Sequence, residues 1–333
     1  MKSANRIWLL KLVPDARHGR WICAAIILLA GLLLYGTAAT LHFPGFAEFR
    51  TDGSWPVATF FVCAVAYITP VFHLISARAV RTAEALAPFL PNHDPQSLRT
   101  EIEFRSRGWV LRTTVLAVAL WLFQSRVLAG SWRAMTESLT TNLYSALMSI
   151  GPLPVWVTMG VAMSALFGNA LFFRRLAKDL QVRILEPDTY MPVGEMAVTS
   201  TLVVVGALGL LSIMWLGGPV NWWTTLPALT FFTPLLILLL LIPVWPLRTR
   251  LVEQRQALAV NTQASIRHAQ SNNPADDATA LAAALALRRE VARLPTWPFD
   301  VPAITRFISY AVIVPLTWAG AALIEMVVDA LLS

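Results

Sequence analysis

The stretch that decides the fold is WICAAIILLAGLLLYGTAATL, residues 21–41. It carries no charged side chain, and as a helix it would span ~30 Å, the thickness of the hydrocarbon core of a bilayer. Comparable apolar runs follow along the chain, at residues 56–75, 109–128, 153–173, 196–216, 226–245 and 303–324. Because these runs are continuously apolar and do not alternate, they favour helices over the strands of a membrane barrel.

The composition agrees with a membrane protein. Only 14% of the 333 residues are charged and 56% are apolar, whereas an ordinary soluble domain is about 25% charged. So few charges cannot coat the surface of a water-soluble globule of this size. The composition also excludes a disordered chain and a disulfide-stapled miniprotein. The sequence therefore predicts an all-α polytopic membrane protein with about seven transmembrane helices.

The basic residues predict how the chain threads the membrane. Of the 26 Lys and Arg residues, 21 lie in four segments, at 1–20, 78–107, 174–183 and 248–293. Only Arg50, Arg126 and Arg133 lie in the loops between them. Cytoplasmic loops collect Lys and Arg, so we expect the N-terminus in the cytoplasm and the C-terminus on the opposite, periplasmic side. The net charge of +7 is then topological, and no nucleic-acid partner is predicted. A cleavable signal peptide is the alternative interpretation of the first run, because small residues follow it at 36–39.

This threading divides the chain into four parts. Residues 1–20 form a basic cytoplasmic N-terminus, 21–246 a six-span membrane region, 247–300 a cytoplasmic helical hairpin, and 301–333 the seventh span with an outer C-terminus. Within the membrane region, apolar residues recur at intervals of three and four over 131–150, which predicts an amphipathic helix on the outer surface. An extension of the third span is the alternative for this segment.

The predicted hairpin is the largest polar part of the chain. Its first helix covers 247–270, with Leu251, Leu258 and Ile266 on a narrow apolar face, and Asn273-Pro274 breaks it. Asp276 or Asp277 then caps a second helix. The apolar face of this second helix carries Leu281, Leu285, Val291 and Leu294. Such narrow faces must pack on each other, on the inner loops or on another copy, so the hairpin is either a structural stalk or a docking and oligomerisation site.

A tryptophan-proline motif follows the hairpin. Trp297 precedes Pro298, which favours an extended backbone at the tryptophan. Asp300 is then placed to cap the seventh span. Entry of the chain into the membrane thus explains the motif without any activity.

Several C-terminal motifs carry a resemblance. They are ILEPD at 184–188, WPFD at 297–300, Arg306-Phe307 and PLTWAG at 315–320. With them the C-terminal half of the chain resembles a group of uncharacterised bacterial multi-pass inner-membrane proteins. The resemblance implies a bacterial inner membrane and no particular activity.

Motifs of catalysis and cofactor binding are missing from the sequence. It contains no GxSxG, HExxH, Walker A, CxxC or dinucleotide-binding GxGxxG pattern. The five histidines do not pair at one predicted depth, as two haem ligands would. The sequence therefore predicts no catalytic, cofactor or metal site and does not favour an enzyme.

Polar residues inside the predicted spans are the remaining site candidates, because burying them in lipid is costly. His73, Arg112 and Asn169 lie at similar predicted depths and would line a cavity open to the cytoplasm. Each also has a structural explanation: Arg112 can extend to the interface, Asn169 can bond a neighbouring helix, and His73 can be satisfied near the interface.

Two further sets complete the candidates. Glu325 and Asp329 share one face of the seventh helix, either as a cation site or as its solvated outer end. Gly160, Ser164 and Gly168, spaced by four, predict a close approach of another helix to the fourth span.

Two functions are compatible with these patterns. The first is a membrane-anchored scaffold or signalling protein that uses the cytoplasmic hairpin to bind a cytoplasmic protein or a second copy. The second is a channel or transporter for a small solute, with its polar cavity near His73, Arg112 and Asn169. The lipid bilayer is the one partner that both require.

Overall fold

The computed structural model describes residues 4–14, 16, 18–90, 93–215, 222–271, 278–293, 296–299, 305, 308 and 309. Over these residues the chain is helical apart from two three-residue strands, as the all-α prediction requires. The strands are β1, Ala4–Arg6, and β2, Phe104–Ser106. The helices are α1 Trp8–Lys11, α2 Gly19–His42, α3 Phe46–Thr51, α4 Trp55–Leu86, α5 Pro95–Glu103, α6 Arg107–Ala129, α7 Trp132–Thr141, α8 Leu143–Ile150, α9 Pro152–Asp179, α10 Met191–Gly209, α11 Trp222–Ser271 and α12 Ala278–Arg293.

Six helical segments of the described chain are long and apolar enough to cross a membrane. They are Gly19–His42, Trp55–Phe89, Arg107–Ala129, Leu143–Asp179, Met191–Met214 and Pro234–His268. Each of the first six predicted spans overlaps one of these segments. The predicted seventh span, 303–324, lies almost entirely outside the described residues. The structure is thus consistent with an integral membrane protein.

The six segments form a bundle around α4. Helix α4 contacts α2, α9 and α10, while α6 and α11 both pack on α9. Helix α10 runs antiparallel to α4, since the Tyr67 hydroxyl donates to the carbonyl oxygen of Val203 at 3.0 Å and Arg78 pairs with Glu195 at 3.1 Å. The main apolar core lies between α4, α9, α10 and α11. This arrangement leaves α2 and α6 at the periphery.

The peripheral helices expose large apolar side chains. Leu33 of α2 is 67% exposed and Phe123 of α6 is 68% exposed, and most of their neighbours along these helices are also exposed. Continuous apolar faces of this extent are rare on soluble monomers. In water an exposed apolar face is unfavourable, whereas in lipid it is not. These helices therefore need few protein contacts if lipid surrounds them.

The basic segments of the chain meet at one end of the bundle, which we call the basic end. The Ile7 amide donates to the Glu103 carbonyl at 3.1 Å, and the Gln181 amide donates to the Phe89 carbonyl at 3.1 Å. Arg250 of α11 reaches the Leu180 carbonyl there, at 3.0 Å. The opposite end carries residues 43–54 together with α7 and α8. The described residues of the four basic segments thus lie together at this end of the bundle.

The N-terminal segment is more structured than the predicted basic tail. Strand β1 pairs antiparallel with β2, and Arg6 pairs with Glu103 at 3.9 Å. After β1, Ile7, Leu9 and Leu10 are buried against α4 and α9. The apolar sequence Ile7-Trp8-Leu9-Leu10 explains this packing.

The outer segment 131–150 is two helices, so the prediction of one amphipathic helix is wrong. Gly130 ends α6 in the left-handed conformation, with φ of 72°, which separates this segment from the third span. Asn142 is extended and divides α7 from α8. Its side-chain oxygen accepts from the Ser145 amide at 2.7 Å, so it caps the new helix.

Two helices lie in the described part of the segment 247–293. The first is continuous with the sixth span, because α11 runs without a break to Ser271. Helix α12 packs against it, and the segment between them, 272–277, lies outside the described residues together with the predicted cap at Asp276 or Asp277. Within the single chain Val291 is 3% exposed and packed, whereas Leu285 is 41% exposed.

Candidate functional site

Asn169 is the most deeply buried of the three predicted polar residues His73, Arg112 and Asn169. It lies on α9 and is 3% exposed. Its side-chain oxygen accepts from Nη2 of Arg105 at 3.3 Å. Because a buried amide without a partner would cost about 1–3 kcal/mol, this contact accounts for a polar side chain inside the bundle.

Arg105 reaches Asn169 from β2, outside the spans. Its guanidinium also donates to the Glu101 carbonyl and lies 5.9 Å from the centre of the Trp109 ring. Gly168 leaves the space for it, since a Cβ there would be 3.0 Å from Nη2. Burial lowers the pKa of the Arg105 guanidinium, while the charge of Glu101 acts to raise it. The sequence pattern predicts no role for this arginine beyond that of a basic loop residue.

The cavity beside Asn169 is small. Its volume is about 10 Å³, and its walls also include Met196 and Ser200 of α10 and Pro243 of α11. A single water molecule needs at least about 10–15 Å³. As it stands, this cavity holds no more than one water and cannot pass a solute.

His73 and Arg112 do not join Asn169 at this cavity. Arg112 is exposed on α6, where its Nε donates to the Gly108 carbonyl of its own helix at 3.1 Å. His73 is half-buried on α4. Of the three residues predicted to line one cavity, Asn169 alone lies on it.

The small residues of α9 have different neighbours. Gly160 lies at the crossing with α6, where an added Cβ would be 3.0 Å from the Cβ of Ala117. Gly168 faces the guanidinium of Arg105, and Ser164 between them is half-buried. The close helix approach predicted for all three residues is therefore seen at Gly160.

The tryptophan-proline motif docks on the basic end. Arg248 of α11 lies between two indoles, 4.6 Å from the ring centre of Trp297 and 5.3 Å from that of Trp245. The buried Nε of Arg248 has no hydrogen-bond partner among the described residues, and both ring faces lie within cation–π distance of its charge. Pro298 lies directly on Gly194 near the start of α10. Asp300 and the predicted acidic pair Glu325 and Asp329 lie outside the described residues.

Polar side chains of α11 fix two helix ends. Arg250 donates to the carbonyl of Leu180, the residue that ends α9. Gln254 donates to the Val182 carbonyl at 2.9 Å, in the loop that follows. Such donors satisfy carbonyls that have no partner within their own helix.

Arg255 does the same at the end of α12. Its Nε donates to the Val291 carbonyl at 3.1 Å and its Nη2 to the Ala292 carbonyl at 2.6 Å. A cation at a helix C-terminus is also favoured by the helix dipole. The sequence does not predict these roles, because the residues around an arginine do not indicate which distant carbonyl its side chain will reach.

The opposite end carries a smaller polar cluster. Ser54 lies between the carboxylate of Asp52 and the hydroxyl of Tyr144, with 2.6 Å between the two hydroxyl oxygens. The ring of His42 stacks on Tyr144 with 5.9 Å between centroids. These contacts tie the segment before α4 to α8. Because the His42 ring stacks on Tyr144, it does not act as a general base toward Ser54 in this arrangement.

No group of three or more His, Cys, Asp or Glu side chains in the described part of the chain is placed to hold a metal ion. Comparison of the chain with protein-family models, with curated proteins and with solved structures gave no match. The fold itself defines the class, a helical protein with several segments long and apolar enough to cross a membrane. We use the name α11–α12 arm for the described residues of 247–293.

Proposed function

We propose that the protein is a membrane-anchored scaffold or signalling protein that associates with a second copy of itself through the exposed face of α12. The proposal rests on one observation above the others. Helix α12 of the α11–α12 arm exposes apolar side chains, and in the proposed orientation this helix would lie in water and not in lipid.

Helix α12 exposes leucine and alanine on more than one side, because residues 285 and 287 point about 200° apart, and Arg288, Arg289 and Glu290 are exposed as well. Leu285 is 41% exposed and Leu287 is 39% exposed. Ala282, Ala283 and Ala286 beside them are also exposed. Burial of a fully exposed leucine is worth about 2 kcal/mol, and small side chains between leucines let two helices approach closely. Two such helices would therefore gain from packing on each other.

The arm is attached firmly enough to transmit that association. Leu247 and Leu251 at its base are both 0% exposed and belong to the main core. Arg250 and Gln254 hold the loop after α9, and Arg255 holds the end of α12. A change at α12 would therefore act on α9, which supports a signalling role in addition to anchoring.

The proposed orientation places the arm in the cytoplasm, with the N-terminus on the same side and the C-terminus on the other. It is supported by the four basic segments that meet at one end, since such segments remain cytoplasmic. The proposed location is a bacterial inner membrane, which rests on the sequence resemblance. Accessibility of cysteines placed at Ser265 and at Ser138 to an impermeant maleimide, in intact cells and in opened cells, tests the orientation.

Cross-linking of the full chain in membranes tests the association. With Cys23 and Cys63 replaced by alanine, a Leu285→Cys variant should form a disulfide-linked dimer under mild oxidation. Ser265→Cys is the matched control, because Ser265 is exposed on the arm but lies on α11. We expect several-fold more dimer from Leu285→Cys. Equal yields from the two positions would overturn the self-association.

A small-solute channel or transporter is the second candidate. The observation in its favour is the buried Asn169 amide, bonded to Arg105 beside a cavity between α9, α10 and α11. This function requires the cavity to enlarge, because about 10 Å³ does not admit a solute. Solute flux into liposomes that depends on Asn169 and is lost in Asn169→Leu would favour it over the scaffold.

A further inference from the structure

A second, larger concavity lies at the basic end between α9 and α11. It is an open groove of about 520 Å³. Its two walls are α9 and α11, which run parallel. We call the part of the groove around Arg174, Lys178 and Arg250 the upper part and the part around Leu241 the lower part. The groove is distinct from the exposed face of α12, and its interpretation does not depend on the proposed self-association.

The upper part of the groove is cationic. Arg174 and Lys178 lie four residues apart on α9 and face Arg250 of α11 across it. Neither Arg174 nor Lys178 has an ion pair or side-chain hydrogen bond with any described residue. Arg250 uses one nitrogen, Nη1, for the Leu180 carbonyl, which leaves its other donors available. Glu253 is the one acid among the lining residues.

The neighbouring Arg175 differs from Arg174 in its partner. It pairs with Glu101, whereas Arg174 beside it remains in the groove. Two like charges at this spacing on one helix face repel each other unless an anion lies between them. The groove therefore gathers three cations against one acid, Glu253.

The lower part of the groove is apolar. It is formed by Leu241, Ile242 and Pro246, with Trp245 at the level where the polar part begins. Trp245 is 53% exposed. These residues belong to the candidate span Pro234–His268 and come before Arg250 along α11, so the apolar wall lies on the bilayer side of the cations if this span crosses a membrane. Tryptophan is typical of that boundary.

We infer that this groove binds one anionic phospholipid, with the phosphate between Arg174, Lys178 and Arg250 and an acyl chain along Leu241 and Ile242. The charge selects the headgroup and the apolar wall selects a lipid over a soluble phosphate. Basic pockets between membrane helices are sites of this kind in general. The bound lipid would fix α9 against α11 at the base of the arm.

Native mass spectrometry of the full chain in detergent tests this inference, with phosphatidylglycerol and phosphatidylcholine of the same acyl chains as probes. We expect phosphatidylglycerol to bind in a 1:1 ratio and at least tenfold more tightly. The double variant Arg174→Gln with Lys178→Gln should weaken phosphatidylglycerol binding about 30-fold, since each cation near an anionic headgroup contributes a factor of about five. Glu253→Gln should tighten it about fivefold, because it removes the one opposing charge.

One control tests whether lost binding comes from the groove cations or from lost charge in general. The other tests whether a soluble phosphate occupies the site in place of a lipid. Arg81→Gln with Arg267→Gln removes the same charge from exposed positions of the basic end outside the groove, and should leave binding unchanged within twofold. Glycerol phosphate should not displace the lipid at millimolar concentration. Equal binding of the two lipids, an equal loss in both double variants, or full displacement by glycerol phosphate would each overturn the inference.

Discussion

Gly194 offers the sharpest test of how the tryptophan-proline motif docks. A Cβ at this position would overlap the backbone carbonyl of Pro298 and would lie 3.1 Å from the ring of Phe299. A backbone atom cannot rotate aside as a flexible side chain can. Gly194→Ala should therefore displace the segment 296–299 from α10 and with it the Trp297 indole that stacks on Arg248.

The expected cost follows from three contributions. Overpacking against a fixed neighbour costs about 1–3 kcal/mol, and loss of a partly buried cation–π contact adds about 1 kcal/mol. Alanine in a helix recovers up to about 1 kcal/mol relative to glycine. We expect a net loss of about 1–3 kcal/mol of unfolding free energy.

Gly108 is the matched control, because it also lies in the first turn of a helix but has no atom within 4 Å of an added Cβ. Gly108→Ala should be neutral or stabilising, by up to about 1 kcal/mol. Thermal unfolding in detergent measures both variants, and maleimide labelling of a Thr296→Cys reporter measures displacement of the segment. If Gly194→Ala is as stable as Gly108→Ala and labels no faster than the parent, the docking of Pro298 on α10 is refuted.

Three further substitutions probe contacts that hold the fold together. Arg255→Ala should cost about 1–2 kcal/mol by leaving the last carbonyls of α12 without a donor; faster amide hydrogen exchange confined to α12 is the expected sign, and Arg255→Lys should retain part of the protection. Asn142→Ala should cost about 1 kcal/mol through loss of the α8 cap, which thermal unfolding measures, whereas Asn142→Ser should be nearly neutral. Asn169→Leu should cost about 1–3 kcal/mol because Arg105 loses its buried acceptor; an unchanged unfolding midpoint would show that the 3.3 Å contact contributes nothing.

The sequence by itself determined the helical class and the positions of six membrane-crossing segments. In lipid every backbone donor and acceptor must be satisfied within the segment, so an apolar run of sufficient length becomes a helix whatever its neighbours are. The local sequence pattern also predicted a helix over 247–270, and α11 covers these residues. It missed the break at Asn142, although asparagine is a common helix cap, because the apolar spacing runs straight through it.

Tertiary structure alone decided which polar groups meet. Arg105 reaches Asn169 from 64 positions away, and Arg255 finds α12 carbonyls 36 and 37 positions away. Neither pairing leaves a local pattern, since long side chains take whichever carbonyl or amide the packing of the helices brings near. The outward direction of Leu285 was decided in the same way, by how α12 lies on α11. Hydrophobic length is a property of one segment, whereas the groove between α9 and α11 exists only because two segments separated by more than 60 residues lie side by side.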